Sequence, residues 1–127
     1  MAFVYLIGEN NDENSYKIGV TKKKEISNRI GELQTGNSNE LFVKDCFETK
    51  YPYKLEKMLH RHFFDKHIIN EWFKLNNDDI KSFKEICKKY DTILDSLKYN
   101  PFFNKNKKEW LFFSHSFFFS FHNKFFL

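Results

Sequence analysis

An arginine, a carboxylate, a histidine and a phenol stand in this chain where apolar residues would be simpler. Arg29 follows Ile26 by three residues and precedes Leu33 by four, so it borders the apolar stripe of a helix. Glu56 lies between Leu55 and Met58, and His60 lies four residues on, on the same helical face. Tyr5 sits in the middle of the extended run Phe3 to Ile7. Gathered at one sheet surface, these groups suit phosphodiester chemistry. The guanidinium neutralises charge developing on the phosphate, the carboxylate holds a divalent metal, and the phenol helps to activate water. Spacing alone favours a plainer arrangement, in which Arg29 and Glu56 make rim ion pairs and Tyr5 is core.

The elements that must position these residues follow from periodicity. Ala2 to Gly8 reads as a strand, and Tyr16 to Val20 as a second one. The polar run Glu9 to Asn14 reads as the loop that makes them a hairpin. A first helix extends from an N-cap region at Thr21 to about Gln34, with Gly36 as its stop. Leu41 to Glu48 reads as a third strand, with Leu41, Val43 and Phe47 on one face. Pro52 suits the first turn of a second helix, which carries Leu55, Met58, Leu59, His62 and Phe63 on one side. Glu71 to Leu75 reads as a short strand or extended segment, with Trp72 or Phe73 buried.

Asn77, Asp78 and Asp79 then open a third helix, whose apolar positions Ile80, Phe83, Ile86, Cys87, Tyr90, Ile93, Leu94 and Leu97 keep helical spacing. The expected fold is α/β (α+β): a small three-stranded, mostly antiparallel sheet flanked by helices.

Composition narrows the function classes. Residues 1–99 carry 17 Lys and Arg against 16 Asp and Glu, so most of the formal charge of +4 belongs to the remainder. A strongly basic nucleic-acid binder is not indicated, and any phosphate contact needs a local patch such as Lys22, Lys23 and Lys24. Cys46 and Cys87 are far apart and form no CxxC, which argues against a disulfide framework or a zinc ribbon. With no basic-then-apolar leader at the N-terminus, the expected setting is reducing and intracellular. Heavy use of Lys, Asn, Ile and Phe is what translation of AT-rich DNA produces.

The segments Phe3-Val4-Tyr5-Leu6-Ile7, Tyr16-Lys17-Ile18-Gly19-Val20-Thr21 and Asn28-Arg29-Ile30 resemble the GIY-YIG endonuclease superfamily. Leu55-Glu56-Lys57-Met58-Leu59-His60 and Glu71-Trp72-Phe73 narrow the resemblance to the phage Orf-172-type DNA-binding domain branch, which includes the meiotically-up-regulated-gene-113 group. It spans about residues 2–80. It implies DNA as partner, Tyr5 at the attacking water, Gly19 closing the second motif, Arg29 on the scissile phosphate, Glu56 as ligand of magnesium or manganese, and His60 as a histidine frequent in the branch. Tyr5, Lys17, Arg29 and Glu56 are then expected around one concave surface, within roughly 10 Å of each other.

Two departures bear on cleavage. The first motif reads Phe-Val-Tyr, and Lys17 stands where catalytic members have tyrosine. Tyr16 is adjacent, but neighbouring strand residues point to opposite faces. The resemblance also implies an asparagine after the glutamate helix, for which Asn70, Asn76 and Asn77 are candidates. A metal-dependent endonuclease and a non-catalytic DNA-binding module, with Lys17, Arg29 and Lys22 to Lys24 as phosphate contacts, both stay open. A plain interaction domain is the third class. No small-molecule cofactor is expected.

Residues 100–127 hold 10 of the 17 Phe residues, interspersed with Asn, Lys, Ser and His without period. Ser114, His115, Ser116, Ser120, His122, Asn123 and Lys124 interrupt every apolar run, so no membrane span is expected. The domain is expected over residues 1–99, and 100–127 as a poorly structured, dispensable tail.

Overall fold

The computed structural model describes residues 2–22, 26–36 and 39–100. Lys23, Lys24 and the tail from residue 101 onward, with the expectations attached to them, lie outside the described residues. In chain order the elements are β1 (Ala2–Glu9), β2 (Asp12–Thr21), α1 (Ile26–Gln34), β3 (Leu41–Thr49), α2 (Pro52–His62), a 3-10 turn (Phe64–Lys66), β4 (His67–Ile69), β5 (Trp72–Lys74) and α3 (Asn77–Ser96).

The sheet has five strands in the order β3-β1-β2-β5-β4, and every pairing is antiparallel. This corrects the expected three. The two extra strands have three residues each, too few to display an alternation, and β4 exposes all of its side chains. Asn70 adopts a left-handed φ of 52° in the two-residue connection between them, a conformation that Asn tolerates better than most residues.

Other boundaries shift for local reasons. The first hairpin turns at Asn10-Asn11 alone, because the backbone of Asp12, Glu13 and Asn14 continues β2 with its side chains in water. Thr21 ends β2 and does not cap α1, which starts at Ile26. In β3 the register with β1 slips between Leu6 and Ile7, so that Asp45 pairs with Leu6 and Val43 with Ile7. The extra residue, Lys44, reverses the alternation. Leu41 therefore packs with Tyr5 and Ile7, whereas Phe47 packs on the opposite face, and Val43 is exposed.

Alternation along β1 and β2 sorts the core into two layers. Val4, Leu6, Tyr16 and Ile18 face α2 and α3, meeting Leu55, Leu59, Phe63, Phe83, Cys87 and Leu94. Tyr5 and Ile7 face the other way, with Leu41, under Ile30 and Leu33 of α1. The helix α3 has the expected stripe. Its N-cap is Asn76, whose side chain accepts from the Asp79 N–H while the Asp79 carboxylate accepts from the Asn76 N–H, a closed capping box. Thr49 and Tyr51 donate from their hydroxyls to Asp91 and Asp95, tying the end of β3 and the start of α2 to α3.

Candidate functional site

Tyr5 and Gly19 are partners across the β1–β2 ladder. A side chain at position 19 would collide with the Tyr5 ring, so glycine there lets the phenol lie flat across β2. The ring is fully buried, and its hydroxyl accepts a long hydrogen bond of 3.5 Å from Arg29 Nε. A second nitrogen of Arg29, Nη1, donates to Glu32 one turn further along α1, at 3.1 Å. The bond to Tyr5, helped by Glu32, outweighs desolvation and holds the guanidinium pKa above its already high ordinary value. The guanidinium is thus charged and oriented from below by a phenol, on a side chain still about one-third exposed.

Lys17 pairs with Ile7 on β1 and with Trp72 on β5, on the same face as Tyr5. Its ammonium makes an ion pair with Glu71 at 2.9 Å and lies 5.9 Å from the centre of the Trp72 ring. The side chain is only 14% exposed. Sequence reasoning missed Glu71 as the residue that neutralises Lys17, because the pairing of β5 with β2 has no marker in a three-residue strand. Tyr16 points to the opposite face, where it is 6% exposed in the main core and burial raises its pKa. It therefore does not stand in for a tyrosine at position 17.

Glu56 and His60 come from α2, on the other face of the sheet from α1. His60 Nε2 is 3.0 Å from the carbonyl oxygen of Ile18. Burial holds the imidazole below its ordinary 6.5, so the neutral ring donates Nε2–H to that carbonyl. The Ile18 N–H, on the same edge of β2, donates to the Glu71 carbonyl. Beyond Ile18, no strand among the described residues pairs with that edge. His60 therefore covers the last edge carbonyl next to β5. Glu56, one turn earlier on the same side of α2, is 9% exposed.

The geometry brings Tyr5, Gly19, Lys17 and Arg29 together on one face. Glu56 and His60 are carried by the helix on the other face, beside the edge of β2. His60 and His62 point apart as expected, since His62 Nδ1 lies 2.7 Å from the hydroxyl of Tyr90. Among the asparagine candidates, Asn70 makes the β4–β5 turn, Asn76 caps α3, and Asn77 is exposed. Lys22 is exposed, with its ammonium 5.8 Å from the centre of the Tyr53 ring. Among the described residues no group of three or more His, Cys, Asp or Glu gathers as a metal site, and Cys46 and Cys87 are free thiols. No described helix is long and apolar enough to cross a membrane.

No curated protein and no solved structure matches the chain. The family model of the T5orf172 domain matches residues 2–88, a span that runs from the first strand into α3 and includes Tyr5, Lys17, Arg29, Glu56 and His60. The chain belongs to the T5orf172 domain family.

Proposed function

We propose that this T5orf172 domain acts on DNA by taking up a backbone phosphate at Arg29, on the face of the sheet that carries Tyr5 and Gly19. The observation that carries this reading is the Arg29 guanidinium, held from below by the Tyr5 hydroxyl on a side chain left about one-third open to solvent. A planar, permanently charged fork with an ordered orientation suits a phosphate oxygen. Tyr5, being fully buried, acts by positioning Arg29. Lys17, neutralised by Glu71, adds little net charge to the same surface. This supports a binding module of the GIY-YIG type over a nuclease, since Tyr16 is turned to the opposite face and Lys17 stands in its place here.

The hydrolytic reading draws on Glu56, a buried carboxylate with His60 on the same side of α2. Magnesium binds through one or two carboxylates plus phosphate oxygens and water, so Glu56 alone would be the protein's share of a magnesium or manganese site. The ion would supply charge neutralisation at the phosphate.

Fluorescence anisotropy with a labelled duplex tests the first reading. Arg29→Gln should weaken binding by about tenfold or more, the range for a charge-assisted hydrogen bond. Unchanged affinity contradicts it. A nicking assay on supercoiled plasmid with magnesium or manganese, run beside Glu56→Ala, decides between binding and cleavage. Metal-dependent nicking that Glu56→Ala abolishes establishes the nuclease. Nicking that persists in that variant or in EDTA removes Glu56 from the chemistry.

A further inference from the structure

On the far side of α2 from its buried stripe, the helix and the β4–β5 hairpin enclose a groove of about 370 Å³. Lys57 and Arg61 line it from α2, Phe64 from the 3-10 turn, and His67 and Asn70 from the hairpin. No carboxylate lines it. Lys57 and Arg61 stand one helical turn apart, where like charges repel, and among the described residues neither makes an ion pair. Phe64 is 74% exposed beside them, the most exposed phenylalanine among the described residues. His67 Nε2 lies 2.7 Å from the Asn70 carbonyl oxygen, which pins the outer wall of the groove. His60 closes the floor, its ring 5.0 Å from that of Phe73.

Two unneutralised cations beside a bare aromatic face, in a concave setting free of acid, fit a ligand that carries both phosphate and a flat ring. A regular duplex offers phosphates but keeps its base faces stacked. An unpaired strand offers both. We propose that this groove binds unpaired nucleic acid, with a backbone phosphate between Lys57 and Arg61 and a base stacked on Phe64. The inference rests on the DNA-acting reading and adds a second contact surface, on the face of the sheet opposite Arg29. A strand led over the edge of β2 beyond Ile18 would pass from one surface to the other.

The test is fluorescence anisotropy on the full chain with a labelled oligothymidine and, separately, a labelled duplex. All three substituted side chains lie at the groove surface, so the fold should survive, and circular dichroism checks this. The expected result is that Phe64→Ala weakens oligothymidine binding at least about fivefold, the low end for loss of one stacked base. The Lys57→Gln/Arg61→Gln pair should weaken it further, and duplex binding should change less than twofold in either variant. Equal losses on both ligands overturn the unpaired-base assignment and leave only general charge. Unaltered oligothymidine binding in both variants overturns the groove altogether. If Phe64→Ala instead changes the sedimentation of the free protein while nucleic-acid binding stays intact, the patch belongs to a second copy and the proposal fails. Absence of binding to either ligand in the unsubstituted chain removes the DNA reading itself, an outcome distinct from the others.

Discussion

The face of the sheet under α2 and α3 and the face under α1 bury very different amounts. Under α2 and α3, fourteen buried residues, from β1, β2, β5, both helices and the flanking Phe63 and Leu75, form one continuous cluster. Under α1, three residues are buried among those described, and one of them is Tyr5, whose polar end is turned toward Arg29. The helix α3 has 20 residues and a closed capping box, whereas α1 has nine and no acidic residue in its first turn. The contrast teaches that stability is concentrated on one face, which leaves the other free to carry a charged, half-open group over a thin apolar base.

Substitutions can break this comparison. The largest effect is expected in the thick layer. Phe83→Ala removes a fully buried ring and should cost about 3–5 kcal/mol, read as a lower denaturant midpoint. If a layer this continuous loses less than the α1 face does on truncation of Ile30, the division of labour is wrong.

Next comes Gly19→Ala. The new methyl meets the Tyr5 ring, and overpacking of this kind costs about 1–3 kcal/mol. The penalty should shrink when Tyr5→Ala is present as well, so the double-mutant cycle should show clear coupling. Additive penalties would mean that the ring has room to move and does not hold Arg29.

Asn76→Ala should cost about 1 kcal/mol by opening the capping box of α3. A change within error would show that packing alone sets where that helix begins. The smallest effect concerns pH. Burial depresses the His60 pKa in the folded chain, so the unfolded chain binds its proton first as pH falls below about 6.5. The neutral ring's contribution is complete above that value and is lost as the solution becomes more acidic. Melting curves at pH 7.5 and pH 5 should therefore differ less for His60→Gln than for the unsubstituted chain. An equal difference would place the acid sensitivity elsewhere.

Much of the thick layer was legible in the chain because its signals are local. The α3 stripe repeats over several turns, and Asn77 to Asp79 marks its start, one residue after the Asn76 cap. Pro52 marks the start of α2 in the same way. The Tyr5–Gly19 contact is legible only in part: glycine at a strand end permits a close approach, but does not say that the phenol fills it. What stayed hidden depends on pairing between distant strands. Nothing in Lys44 announces the bulge that turns Phe47 away from Leu41. Nothing in Glu71 announces that β5 will bring it to Lys17, since a three-residue strand shows no period. The placement of α2 across the sheet from α1 is likewise a property of the topology, because a helical stripe fixes which side is buried but not against which face of the sheet it lies.

The central claim is that Arg29, and not the charge of the domain at large, engages the DNA backbone. Duplex affinity measured across a series of salt concentrations, for the unsubstituted chain and for Arg29→Gln, tests it most directly. Each phosphate neutralised contributes close to one unit to the slope of log affinity against log salt. The account predicts a slope shallower by about one unit in Arg29→Gln, together with the weaker binding. An identical slope with unchanged affinity would contradict it.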